Sequence, residues 1–387
     1  MMMPLGTVPY AQTTASLEVA PPYHFPGVIV HGFVIDVSLK QVQKYYDSTF
    51  NLGDQKERGF VYRTAPAWPY GLLLFAQYPR MLCASRGPDL MRGIPSYAAR
   101  GSVCQNEVFL AIPAVRYGTT KIGAILDTTV DWALPFMVVE NASSASCGRE
   151  MIGLGKVLAD VEIGEGKAPG GFSAAVSFPG WKTGAEDELQ EPLEFVRILT
   201  EPPMPTNFGK DPRTTPMGLL RTRAGSALAE GWSSFIDLAE RASLGTLPLD
   251  MRTVSLKQFR AAEDPERAIF QSLVTCRSQY SDVSDFRVFN DGDVSIDFNT
   301  YASFRPILKI FIDPAKIDPP KPPHISRIGV TCRAAYSMTS TIDFDEMRTI
   351  FIRPIDPGPG NAWAQPDSDL VAAWARPWVG LFAKAPQ

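Results

Sequence analysis

Cys147-Gly148-Arg149-Glu150-Met151-Ile152-Gly153-Leu154-Gly155-Lys156-Val157-Leu158-Ala159 sets one lysine among small and apolar residues, just after an Arg-Glu pair. A lysine on a solvated face stands among Glu, Gln, Ser or other lysines. Lys156 instead has Ile152, Leu154, Val157 and Leu158 around it, and two glycines that let the backbone pack closely. Burial disfavours an ammonium ion, which leaves a nucleophilic amine near neutral pH. Such an amine forms Schiff bases with ketones and aldehydes.

Upstream, Glu107-Val108-Phe109-Leu110-Ala111-Ile112-Pro113 places a glutamate at the head of an apolar strand, and Met137 to Glu150 reads as a second apolar strand running into Gly148-Arg149-Glu150. Together these residues resemble the acetoacetate decarboxylase family, whose segment reads Gly-Arg-Glu, a few mostly apolar residues, then Pro-Lys-Lys-Leu. The resemblance puts the family's Schiff-base lysine on Lys156 and its active-site glutamate on Glu107. Phe33 to Tyr46 and Leu256 to Gln271 are similar to the family's early strand-turn-helix and late hairpin. The specific part of the match runs from Glu107 to Ala159. The departures are informative too. Val157 stands where the family has a second lysine, Ala76 where it has a further acidic residue, and Phe25 to Val30 offers no arginine near the first strand. A free carboxylate is best held by a bidentate arginine. Its absence there favours a larger or less charged carbonyl compound than acetoacetate, or a different step carried out on the same imine.

The composition sets outer bounds. With 387 residues, 45% of them hydrophobic, the chain can bury a substantial core as one large domain or two. A net charge of −4 gives no basic footprint, so nucleic acid is not an expected partner. No apolar run reaches the roughly 18 residues of a membrane-spanning helix. Met1 to Ser16 lacks a basic flank followed by an apolar region, so no leader peptide is expected and the cytoplasm is the default location. Cys83, Cys104, Cys147, Cys276 and Cys332 have no paired spacing, which argues against a disulfide framework or a metal site. His24, His31 and His324 read as packing residues rather than metal ligands or catalytic bases. Asn141-Ala142-Ser143 is a glycosylation sequon with meaning only in a secreted protein.

Along the chain, residues 1–25 form an N-terminal arm and residues 26–312 a domain similar to the family. Residues 313–324 read as a proline-rich linker, and 325–387 as a C-terminal extension whose tryptophans are expected to pack on the core or on a neighbouring subunit. Strands are expected at 33–37, 70–78, 108–117, 121–140, 172–178, 193–199, 254–259, 269–274, 294–298, 307–312, 329–336 and 349–353. A hairpin is placed around Asp127-Thr128-Thr129. Ser38 should cap a helix burying Leu39, Val42, Tyr45 and Tyr46, and Ser226 to Ala242 has the spacing of an amphipathic helix. Glu186-Asp187-Glu188 reads as a solvated turn. Many short strands without βαβ alternation predict an α+β fold, an antiparallel barrel-like or cone-shaped sheet with peripheral helices, and the resemblance implies the same.

In such a fold Lys156 and Glu107 would be the catalytic pair, with Arg149, Glu150 and Val157 binding substrate or orienting the site. Val157 would help by keeping water from the amine. Alternatively, Arg149 would serve as a buried ion-pair partner for Glu150 or Glu107. No cofactor is needed, because the iminium on the lysine is itself the electron sink. The expected function is a carbon-carbon lyase of decarboxylase or aldolase-dehydratase type, homo-oligomeric, acting on a small carbonyl or keto-acid substrate. The competing expectation is a cavity that binds or cyclises an apolar small molecule without a Schiff base.

Overall fold

The strands carry the architecture, and they are longer than the sequence pattern suggests. The computed structural model describes residues 21–65, 68–83, 102–119, 125–166, 168–203, 249–260, 264, 266–289, 291–317 and 327–353. Its strands are β1 (Tyr23–Asp36), β2 (Phe60–Thr64), β3 (Tyr70–Cys83), β4 (Val103–Thr119), β5 (Ile125–Val139), β6 (Lys156–Leu158) and β7 (Asp160–Glu165). They continue with β8 (Phe172–Gly180), β9 (Glu191–Leu199), β10 (Leu249–Arg260), β11 (Ala268–Phe289), β12 (Ser295–Asn299), β13 (Arg327–Gly329) and β14 (Cys332–Ile352). The expected helix at Ser226 to Ala242, the tail beyond residue 353 and the arm before residue 21 lie outside the described residues.

One sheet has the order β2-β4-β3-β1-β14-β11-β10-β5-β6, and a further pairing of β4 with β5 closes seven of these strands into a ring. Most pairings are antiparallel, as expected, but β5 runs parallel to both β10 and β6, so the sheet is mixed. A second, antiparallel sheet of order β13-β12-β9-β8-β7 lies against the outside of the ring.

Alternation along each strand divides the core in two. On β4, Phe109 and Ala111 face the ring's interior with Leu74, Met137, Val139 and Leu154, while Val108, Leu110 and Ile112 face outward. The outward set packs on Phe172, Val176, Phe195 and Phe298 of the second sheet. Both faces of β4 are therefore apolar, which is why its sequence reads as a continuous hydrophobic run rather than an alternating one.

A buried carboxylate ties the ring at its parallel joint. Asp131 of β5 is fully buried. It accepts a hydrogen bond from the Tyr62 hydroxyl of β2 at 2.7 Å and lies 3.8 Å from Arg116 of β4. It also pairs with Arg252 of β10.

Several expectations change. Ile307 to Ile312 is not a strand; Arg305–Leu308 is a helical turn with Pro306 in its first turn, and Phe304, Leu308, Phe311 and Ile312 are buried. That spacing of three and four is helical. Asp127 and Thr128 are not at a hairpin tip but pair with Gly118 and Tyr117 along the β4–β5 ladder. The stiff linker does not start at 313, because Pro314–Ile317 is a helical turn that buries Ile317. Residues 325–387, expected as an extension on the core, supply β14, an inner strand between β1 and β11. Ser38 does precede a helix, α1 (Leu39–Thr49), with Val42 and Tyr46 buried. Its side chain makes no cap, however, and its backbone N–H donates to the Phe311 carbonyl at 2.7 Å.

Candidate functional site

Glu107 stands on the inner face of β4, with Ala76 of β3 and Val139 of β5 as its register partners. The methyl group of Ala76 puts no second carboxylate beside it. Lys156 begins β6, in register with Met137 of β5, and the parallel pairing aims it into the same interior. The two side chains meet, Lys156 Nζ to Glu107 Oε2, at 3.1 Å, and both are buried. The lysine that has no charged neighbour in sequence thus receives one from a strand 49 residues away.

The chain between β5 and β6 explains how the lysine is aimed. Asn141 caps helix α2 (Ala142–Cys147), its side-chain oxygen accepting from the Ser144 N–H at 3.1 Å. That is the structural use of the sequon asparagine. Ser144 is thereby turned inward, and Lys156 Nζ donates to its Oγ at 3.0 Å. A π-helical turn, Gly148–Ile152, follows and ends at Gly153 in the left-handed region, φ 81°. A Cβ on Gly148 would lie 2.6 Å from Cδ and Cε of Lys156, so the lysine stem runs directly over this glycine. A Cβ on Gly153 would meet the Lys257 backbone of β10 at 2.7 Å. The two glycines therefore let the turn seat against both the lysine and the ring wall.

Glu107 is held from three sides. Besides Lys156, Gln105 Nε2 donates to Oε2 at 2.9 Å and the Tyr78 hydroxyl to Oε1 at 3.4 Å. Burial first, and then the negative charge of Glu107, push the phenols of Tyr78 and Tyr280 well up, so both stay protonated donors at neutral pH.

These groups open onto a cavity of about 490 Å³ inside the ring, walled by Glu107, Lys156, Ser144, Tyr78 and Tyr280 and by apolar side chains including Phe109, Met137 and Leu154. The volume falls within the roughly 300–1,000 Å³ usual for small-molecule sites. Arg149 and Val157 are exposed and do not line it, and Glu150 does not line it either. Val157 therefore cannot exclude water from the amine, and Arg149 is not a buried ion-pair partner. Glu150 instead acts on Lys257, whose ammonium is disfavoured by burial and favoured by the Glu150 charge.

Sequence reasoning missed Ser144, Gln105, Tyr78 and Tyr280. Gln105 could have been found, since it precedes Glu107 by two residues and so shares its strand face. Ser144 carried no signal, because its role depends on a helix cap that only the fold creates.

No protein-family model and no curated protein matches the chain. Among solved structures, an acetoacetate decarboxylase is similar with a TM-score of 0.48 at 10% identity, over 88% of this chain and 94% of that one. The enduracididine biosynthesis enzyme MppR complexed with pyruvate has a TM-score of 0.45 at 12% identity, over 87% of this chain and 93% of its own. The acetoacetate decarboxylase of Legionella pneumophila has a TM-score of 0.48 at 10% identity, over 89% of this chain and 93% of its own.

Proposed function

We propose that the protein is a cofactor-independent Schiff-base enzyme, a carbon-carbon lyase acting on a β-keto acid or a related carbonyl compound. One observation carries the reading: Lys156 Nζ is buried between a carboxylate and a hydroxyl, at 3.1 and 3.0 Å, on the wall of a largely apolar cavity. Proton transfer from the ammonium to Glu107 frees the amine to attack a carbonyl carbon. Glu107 then returns the proton to the carbinolamine oxygen, which leaves as water. Ser144 is placed to hydrogen-bond that oxygen. The iminium draws electrons from the adjacent bond, releasing carbon dioxide from a β-keto acid or an α-proton from a simple carbonyl compound. The enamine so formed is protonated or adds to an aldehyde.

The test is reductive trapping. The protein is treated with borohydride and a panel of keto acids and ketones, and its intact mass is read. A mass increase mapping to Lys156, absent from Lys156→Ala, is the expected result. A second reading has its own support, since the Glu107–Lys156 contact also suits a permanent ion pair that contacts a ligand without covalent chemistry. Ligand binding with no adduct from any carbonyl compound would select that reading.

A further inference from the structure

We infer that the cavity selects an uncharged ketone or aldehyde with an apolar body and turns it into an enamine, rather than taking a keto acid. This inference rests on the Schiff-base reading above and narrows it to a substrate class.

The charges on the cavity wall come first. Among the described residues lining it, Lys156 is the only lysine or arginine and Glu107 the only carboxylate, and they are already paired at 3.1 Å. The phenols of Tyr78 and Tyr280 are neutral, because burial and the Glu107 charge both oppose ionisation. The described part of the wall is therefore electrically balanced before any ligand enters. A carboxylate substrate would bring a second anion beside Glu107, and among the described lining residues no second cation receives it; an unpaired charge in an apolar enclosure is strongly disfavoured.

The remaining surface fits an apolar body. Phe25, Phe109, Met137, Leu154, Met251 and Phe344 line the space around the pair. Methionine side chains adapt to irregular shapes, and the aromatic rings suit a planar or branched hydrocarbon group.

An uncharged carbonyl compound keeps the balance at every step. The amine of Lys156, the protonated carboxyl of Glu107 and the ketone become an iminium, a carboxylate and one water. The iminium's positive charge then faces the Glu107 negative charge in the pairing that the resting site already holds. Glu107 next removes an α-proton, and the C–H electron pair forms the carbon-carbon double bond while the C=N pair returns to nitrogen. The products are a neutral enamine and a neutral carboxyl group. The Glu107 carboxyl exchanges its proton with solvent and returns one to the α-carbon, which regenerates the iminium and the carboxylate, so the cycle exchanges α-hydrogens without any oxidant or second substrate.

Cyanoborohydride, which reduces an iminium in preference to a free ketone, tests the inference on the full chain. Benzylacetone, acetoacetate and pyruvate are supplied separately at equal concentration and Lys156 adducts are read by mass. Benzylacetone is expected to give about tenfold or more adduct than either acid, as the cost of burying an unpaired carboxylate requires. In deuterated buffer its α-hydrogens should exchange, as followed by proton NMR, and Lys156→Ala should lose both signals. Equal or greater trapping of the acids overturns the inference and leaves the Schiff-base reading standing. Trapping of benzylacetone without exchange overturns the enamine step. No adduct with any of the three overturns the Schiff-base reading itself.

Discussion

Gly148 leaves empty the space that the Lys156 stem occupies, which makes a single methyl group a probe of the site. Alanine at 148 would put its Cβ 2.6 Å from two carbons of the lysine stem, closer than real contacts allow. The lysine end can move, so Gly148→Ala is expected to fold but to displace Nζ from Glu107 and Ser144, lowering the rate of Schiff-base trapping while the melting temperature moves little. Glu107→Gln is the complementary change, keeping the side-chain shape and the hydrogen bond to Tyr78 while removing the ability to carry a proton. Turnover is expected to fall about a hundredfold to ten-thousandfold, the usual worth of a general acid-base group. A fall in melting temperature with activity preserved in the folded fraction would instead make Glu107 a structural ion-pair partner. Lys156 was legible in sequence because its neighbours within the chain are apolar, and Glu107 because it interrupts an apolar strand. Their contact was not, since it depends on the register of β4 on β5 and of β6 on β5. Arg149 and Val157 misled for the same reason: adjacency in sequence says nothing about the face on which a short strand or a turn presents a side chain.

Asp131 belongs to the scale of elements, since its carboxylate joins β2, β4, β5 and β10 through Tyr62, Arg116 and Arg252. Asp131→Ala would leave the phenol and two guanidinium groups without their common acceptor. Because both arginines reach solvent, the loss is expected near the lower end of the range for a broken buried pair, about 3 kcal/mol in denaturant unfolding. A loss below 1 kcal/mol, comparable to an exposed pair, would show that the joint is held by strand pairing alone. Elements with one dominant period were readable from sequence, as α1 and β8 illustrate, and so was the β10–β11 hairpin. Ile307 to Ile312 was misread because an unbroken apolar run is compatible with either a strand or a buried helical turn, and Pro306 in a first helical turn decides for the latter. Glu188, expected merely as solvated, organises its own loop by accepting from the Thr183 hydroxyl and from three backbone N–H groups, which holds its carboxyl down to about 2.

At the scale of the whole molecule, His31 makes stability depend on pH. It sits on the outward side of β1, stacked on Phe172 of the second sheet with ring centroids 3.9 Å apart. Its Nδ1 has no hydrogen-bond partner among the described residues. Burial, and then the positive charge of Arg287, lower its pKa from 6.5 to about 4. The unfolded chain therefore takes up this proton before the folded one, so the contribution is complete above about pH 6.5 and lost as the pH falls towards about 4. A shift of this size corresponds to roughly 3 kcal/mol. Urea unfolding at neutral pH and near pH 4 should show this loss in the parent protein and a smaller one in His31→Phe, and equal losses would remove His31 from the account. The α+β class and a barrel-like sheet were legible from the number of strands and the lack of βαβ alternation, but which strands pair to close the ring was not, because pairing partners distant in sequence leave no local pattern. The same distance governs how the protein is made. Val34 of β1 lies beside Ala334 of β14, so during synthesis the first strand waits with one edge unpaired until nearly all of the described chain has been produced. Its nascent form should depend on chaperones that mask strand edges, and a chain stopped before Cys332 should accumulate as aggregate rather than as a smaller folded protein.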